Sequence, residues 1–192
     1  MVDWGIYPHF FFVCEGTNEE AVIRWLIEKH AIVIPSKKIS LDYCRARAKT
    51  GREKLKNVIL EYAYSSQRPV VIYICDRHED KEKWNVGKDV CGNEIPVIKI
   101  VTSPEIEMLL IIATGNYQKW LSEKHKNPRL NPSGFCQRVL KIGKSNIKNG
   151  ENFINQFSSV EEFKRVCYEY KQLRQKSDHY GKNEITWCEI LK

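Results

Sequence analysis

The chain has 192 residues, of which 42% are hydrophobic and 29% charged, and its net charge is +7. That is the make-up of an ordinary globular protein able to bury a real core, with no repeat and no low-complexity tract. No run of about eighteen apolar residues is present, which argues against a membrane span, and no basic region precedes an apolar stretch at the N-terminus, so no secretory signal is expected.

The first element in chain order is a strand. The apolar run from His9 to Cys14 delivers Glu15 to its C-terminal end, where Gly16 allows a sharp turn. A helix is predicted over Asn18 to Lys29, with Ala21, Val22, Trp25 and Leu26 at helical spacing. Thr17 or Asn18 can cap it, and Glu19 and Glu20 in its first turn suit the helix dipole. Ala31 to Pro35 and Ile39 to Cys44 are short extended candidates. Thr50 to Tyr64 reads as a second helix, with Leu55, Val58, Ile59 and Tyr62 on one side. A second long strand follows over Val70 to Cys75 and ends in Asp76.

From Asp76 to Asn93 the chain is polar and charged. Ile95 to Val101 supplies another strand, in which Pro96 suits a strand start or an edge. Thr102-Ser103-Pro104-Glu105 opens a third helix running through Met108 to Ala113, with Thr102 or Ser103 as cap and Glu105 as the capping-box partner of Thr102. Beyond Gly115 the pattern becomes helical: Tyr117 to His125, Phe135 to Ile142 and Val160 to Arg174. A basic, glycine-flanked loop is expected over Lys141 to Gly150.

Strands alternating with helices over the first hundred residues predict an α/β fold with a parallel sheet. Two parts are expected, an α/β unit over residues 1–115 and a helical region over residues 116–192. Residues 1–114 carry 16 Lys and Arg against 16 Asp and Glu, whereas residues 115–192 carry 15 against 8. A neutral front with acids at its strand ends and a basic back suit a polyanionic substrate. The seven cysteines include no Cys-x-x-Cys pair. Cys14, Cys75 and Cys136 sit inside apolar runs as small hydrophobes, which fits a reducing, cytoplasmic setting and gives no zinc motif.

In open α/β sheets, ligands bind beyond the carboxyl ends of the strands. Glu15 and Asp76 are both placed there, which gives a divalent-cation site a plausible origin. Strand–Glu-Gly-x-x-Glu–helix (Glu15 to Glu19), strand–Asp76, and strand–Ser-Pro-x-x-Glu–helix (Ser103 to Glu107) together resemble the TOPRIM domain of topoisomerases, primases and OLD-type nucleases. The version here is most similar to the small bacterial TOPRIM proteins of phage defence, the RloB-like and OLD-like groups, over about residues 8–115. The resemblance implies a Rossmannoid parallel sheet and an Mg²⁺- or Mn²⁺-dependent nuclease acting in anti-phage defence. In that role Glu15 is a metal ligand or general base, Asp76 a direct ligand, and Glu107 a further ligand or a carboxylate acting through water. It also implies that an ATPase partner can stand beside the nuclease.

The sequence departs from the family at one place. His78 stands where a second aspartate is usual, so His78 substitutes as ligand, or Glu79 or Asp80 fills the place, or metal binding is weakened. A hard ion prefers oxygen ligands, and an imidazole would shift preference toward Mn²⁺ or another transition metal. The departure leaves open a domain whose chemistry has been lost and which binds nucleic acid, or assembles, without cleaving. The candidate phosphate contacts are Arg45, Arg47, Lys49 and Arg52 after the second strand region, and Lys144 and Lys148 in the basic loop. Lys171, Arg174, Lys176, His179, Tyr180 and Lys182 form a second cluster suited to single strands. Gly143-Lys144-Ser145 lacks the upstream glycine and preceding strand of a P-loop, which sets aside an NTPase.

Overall fold

A computed structural model describes residues 3–42, 44, 49–64, 68–76, 86–176 and 185–192. It is an α/β protein with a four-stranded, all-parallel sheet flanked by helices. The strands are β1 (His9–Cys14), β2 (Ile39–Ser40), β3 (Pro69–Cys75) and β4 (Val97–Val101), in the order β2-β1-β3-β4. β1 lies opposite β3 in register from His9 with Pro69 to Cys14 with Ile74. Every residue of β3 is buried, as a parallel strand covered on both faces must be.

Alternation along the strands splits the core in two. Phe10, Phe12 and Cys14 of β1, with Val70, Ile72 and Ile74 of β3, face the larger cluster. Phe11 and Val13, with Val71, Tyr73 and Cys75, face the smaller one, closed by Leu55, Ile59 and Ala63 of helix α2 (Lys49–Tyr64). Helices α1 (Thr17–Glu28), α3 (Met108–Ala113), α4 (Tyr117–Lys126), α5 (Pro132–Arg138), α6 (Lys144–Lys148), α7 (Gly150–Ile154) and α8 (Val160–Gln175) supply the larger cluster. Among the described residues, no helix is long and apolar enough to cross a membrane.

Several local expectations are corrected. The extended stretches after α1 are shorter than read: only Ile39–Ser40 forms a strand there, and Ile32 makes an isolated antiparallel bridge to Leu191. The third helix starts at Met108, not at Thr102. Thr102 Oγ1 instead accepts from Trp187 Nε1 at 2.7 Å, and the Glu105 carboxylate accepts from Asn131 Nδ2 and the Ser133 amide, both at 3.0 Å. Glu105 therefore serves the start of α5. The segment read as a basic loop over 141–150 contains α6 and the first residue of α7. Pro96 immediately precedes β4, an edge strand of the sheet.

Candidate carboxylate site

The chain runs from β1 through α1 to β2 on one side of β1, while β3 pairs on the other side. The gap between β1 and β3 is thus the point where the winding reverses, the place where sheets of this kind leave a crevice beyond their strand ends. Glu15 and Asp76 are the first residues after these two strands. They meet: the Asp76 amide donates to Glu15 Oε2 at 2.9 Å, while the Glu15 amide extends the ladder to the Ile74 carbonyl at 2.9 Å.

Glu19 joins them from the first turn of α1. It is buried, and its carboxyl interacts with that of Asp76. Gly16 is what admits it. Its backbone, at φ −129° and ψ 177°, is ordinary extended chain rather than a sharp turn, but a Cβ there would lie 2.5 Å from Glu19 Oε2. Gly16 is also the N-cap and offers no side-chain bond. Neither Thr17 nor Asn18 caps α1. Asn18 Nδ2 donates to the Ile147 carbonyl at 2.7 Å and Thr17 Oγ1 to the Lys148 carbonyl at 3.4 Å, fastening α6 to the acidic corner.

Glu107 completes the group from the N-cap position of α3, where it is buried. Burial raises its carboxyl above the usual range, and the adjacent Lys148 ammonium, 3.2 Å from Glu107 Oε1, pulls it back. For Lys148, partial burial works to lower the pKa, but the charge and hydrogen bond of Glu107 prevail and raise it. Asp76 is pushed up to about 8, first by burial and then by the charges of Glu19, Glu15, Glu107 and Glu105. Glu19 is pushed up to about 7, first by burial, with the charges of Glu107 and Glu15 adding to it. Carboxyls this far above their ordinary range signal negative charge crowded into a desolvated corner.

Comparison with protein-family models, curated proteins and solved structures gives no match for this chain. The chemistry of the site therefore rests on its own residues. Asp76 Oδ1 is buried with no hydrogen-bond partner, an acceptor that lacks a donor. That orphan, and the oxygen-only donor set around it, fit a hard divalent cation. As the side chains stand, no three His, Cys, Asp or Glu among the described residues form a finished ligand group.

The structure thus brings together Glu15, Asp76 and Glu107 and adds Glu19, which shares the buried face of α1 with Val22, Ile23 and Leu26. The signal for Glu19 was its place in Glu15-Gly16-x-x-Glu19, outweighed by its look as a first-turn dipole acid. Lys148, expected as a phosphate contact on a loop, stands inside the acidic group, whereas Lys144 is exposed at the start of α6. Lys49 and Arg52 fall in the first turn of α2. His78, Asp80, Glu79, Arg45 and Arg47 lie outside the described residues, as do His179, Tyr180 and Lys182. Lys171 is engaged with Glu189 Oε1 at 2.6 Å.

Proposed function

We propose that Glu15, Glu19, Asp76 and Glu107 bind Mg²⁺ or Mn²⁺ and that the chain is a metal-dependent phosphodiesterase of the TOPRIM type, cleaving RNA, including transfer RNA, or DNA in anti-phage defence. The observation that carries this reading is the meeting of four acids at the reversal point of the sheet, with one buried oxygen of Asp76 left without a partner. A bound divalent ion supplies Lewis-acid polarisation of the phosphate and an activated water. Asp76 and Glu15 hold it from the two strand ends. Glu19 and Glu107 would complete the set from the first turn of α1 and the N-cap of α3. The Lys148 ammonium offers a charge to a phosphate oxygen, and the basic excess after residue 115 attracts the rest of the polyanion.

One observation favours a second reading. The ammonium of Lys148 already neutralises Glu107, the task a cation would perform. On that reading the domain is a nucleic-acid-binding or assembly module that has lost cleavage and works with a partner ATPase.

Calorimetric titration with Mn²⁺, on the native chain and on Glu15→Ala and Asp76→Ala, separates the two. Binding in the native chain that both substitutions weaken at least tenfold, together with cleavage of RNA or DNA abolished by the same changes, supports the metal enzyme. A native chain that keeps its fold yet binds no Mn²⁺ at millimolar concentration, with or without an oligonucleotide, overturns it in favour of the module.

A further inference from the structure

Cys14 and Cys44 are both buried, and their sulfurs lie 3.3 Å apart. The backbones meet beside them, with the Cys14 amide donating to the Cys44 carbonyl at 2.8 Å. Cys44 is held in place by a turn of its own, its amide donating to the Leu41 carbonyl at 3.0 Å. Neighbouring chains joined by such a bond have Cα atoms about 5 Å apart, inside the window of roughly 4.4–6.8 Å that a disulfide spans. Bringing the sulfurs to bonding distance then takes side-chain rotation rather than a refolded backbone.

We propose that Cys14 and Cys44 form a reversible redox modification site, in which hydrogen peroxide converts the two thiols into an intrachain disulfide. The sulfur of one cysteine attacks the peroxide, the O–O bond breaks, and a sulfenic acid and one water result. The second sulfur then displaces the hydroxyl from the sulfenic sulfur, and with the second thiol proton it leaves as another water. Two protons and two electrons pass from the thiols to the peroxide. A dithiol reductant reverses the change by exchange.

The setting decides the character of the site. Both thiols are buried, where a large oxidant cannot reach them. Oxidation is therefore slow and selective for a small neutral oxidant, while the exposed Cys91 reacts first and serves as an internal reference. The cross-link encloses α1 and β2 and anchors the end of β1, on which Glu15 stands. This inference is independent of the reading of the carboxylates.

The test treats the full-length native chain with excess hydrogen peroxide over time, alkylates the remaining thiols in denaturant, and digests without reduction for mass spectrometry. A joined Cys14–Cys44 peptide pair, about 2 Da lighter than its reduced parts and split by dithiothreitol, is the expected product. Its midpoint of thermal unfolding should rise by on the order of 5–10 °C over the reduced chain. The joined pair should vanish in Cys44→Ser, with circular dichroism confirming that this variant folds. Cys14 and Cys44 both still alkylated as free thiols at the longest exposure, long after Cys91 is fully oxidised, overturns the proposal, and so does sulfinic acid at either without the cross-link.

Discussion

Asp76 carries the most direct consequence at the scale of single residues. Its carboxyl is pushed up to about 8 and that of its partner Glu19 to about 7, against ordinary values near 4. An acid with a raised folded pKa holds its proton in the native state after the unfolded chain has released it. The native state then binds more protons, and stability falls as pH rises. The loss begins near pH 4, where the unfolded groups ionise, and is complete only above about pH 8. Thermal melts of the metal-free chain should therefore lose on the order of 5–10 °C between pH 5 and pH 8. In Asp76→Asn, whose amide cannot ionise, much of that slope should disappear. A slope equally steep in the variant would place the titrating burden elsewhere. Glu15 and Asp76 were readable because each ends an unbroken apolar strand. Glu19 was not, because its burial depends on the missing side chain of Gly16 and on a carboxyl reached from another strand. Its spacing from Val22, Ile23 and Leu26 does put it on the buried face of α1, but an acid in a first turn reads as one serving the helix dipole.

At the scale of elements, the acidic corner depends on how closely α7 approaches α1. A Cβ at Gly150 would collide with the Ala21 side chain and lie 2.8 Å from the Thr17 carbonyl oxygen, so the two helices meet through a residue without a side chain. The same approach keeps the Ile147 and Lys148 carbonyls against Asn18 and Thr17 and sets Lys148 beside Glu107. Gly150→Val should cost about 1–3 kcal/mol in urea unfolding, because neither backbone nor Ala21 can yield cheaply. Gly143→Ala is the matched control: its Cβ would meet only Ser145 Oγ at 3.8 Å, an ordinary contact, and its φ of −57° suits any residue. Equal stability in the two variants would show that the helix approach is not tight. The long helices and the two central strands were legible from spacing to within a few residues. The short pieces were not: six-residue α3 and five-residue α6 and α7 are stabilised by what they touch rather than by an amphipathic repeat of their own.

At the scale of the molecule, the helices after residue 115 finish the core of the sheet before them. Phe135, Cys136, Phe153, Phe163, Tyr170 and Trp187 belong to the same buried cluster as Phe10, Phe12 and Ile72. The ties are polar as well as apolar. Tyr170 Oη accepts from the Ser103 amide at 2.7 Å and pins the turn after β4. The last residues return to the start of the chain: Ile185 bridges to Ile100, the Val33 amide donates to the Ile190 carbonyl, and the Lys192 amide donates to the Ala31 carbonyl. A chain ending at residue 115 would keep only α1 and α3 over that face of the sheet and would strip the cluster of Phe135, Phe153, Phe163, Val166, Tyr170 and Trp187, opening the apolar sides of α1 and α3 to water. At about 1.5–3 kcal/mol for each large side chain re-exposed, that loss exceeds the few kcal/mol by which a domain of this size is stable. The fragment 1–115 should therefore show no cooperative thermal transition by circular dichroism and should bind a hydrophobic dye that the full chain ignores. Mixing it with a separately made fragment 116–192 should restore the transition. A sharp melt from the fragment alone would show instead that the sheet and α1 to α3 are self-sufficient and that the basic helices are an attachment.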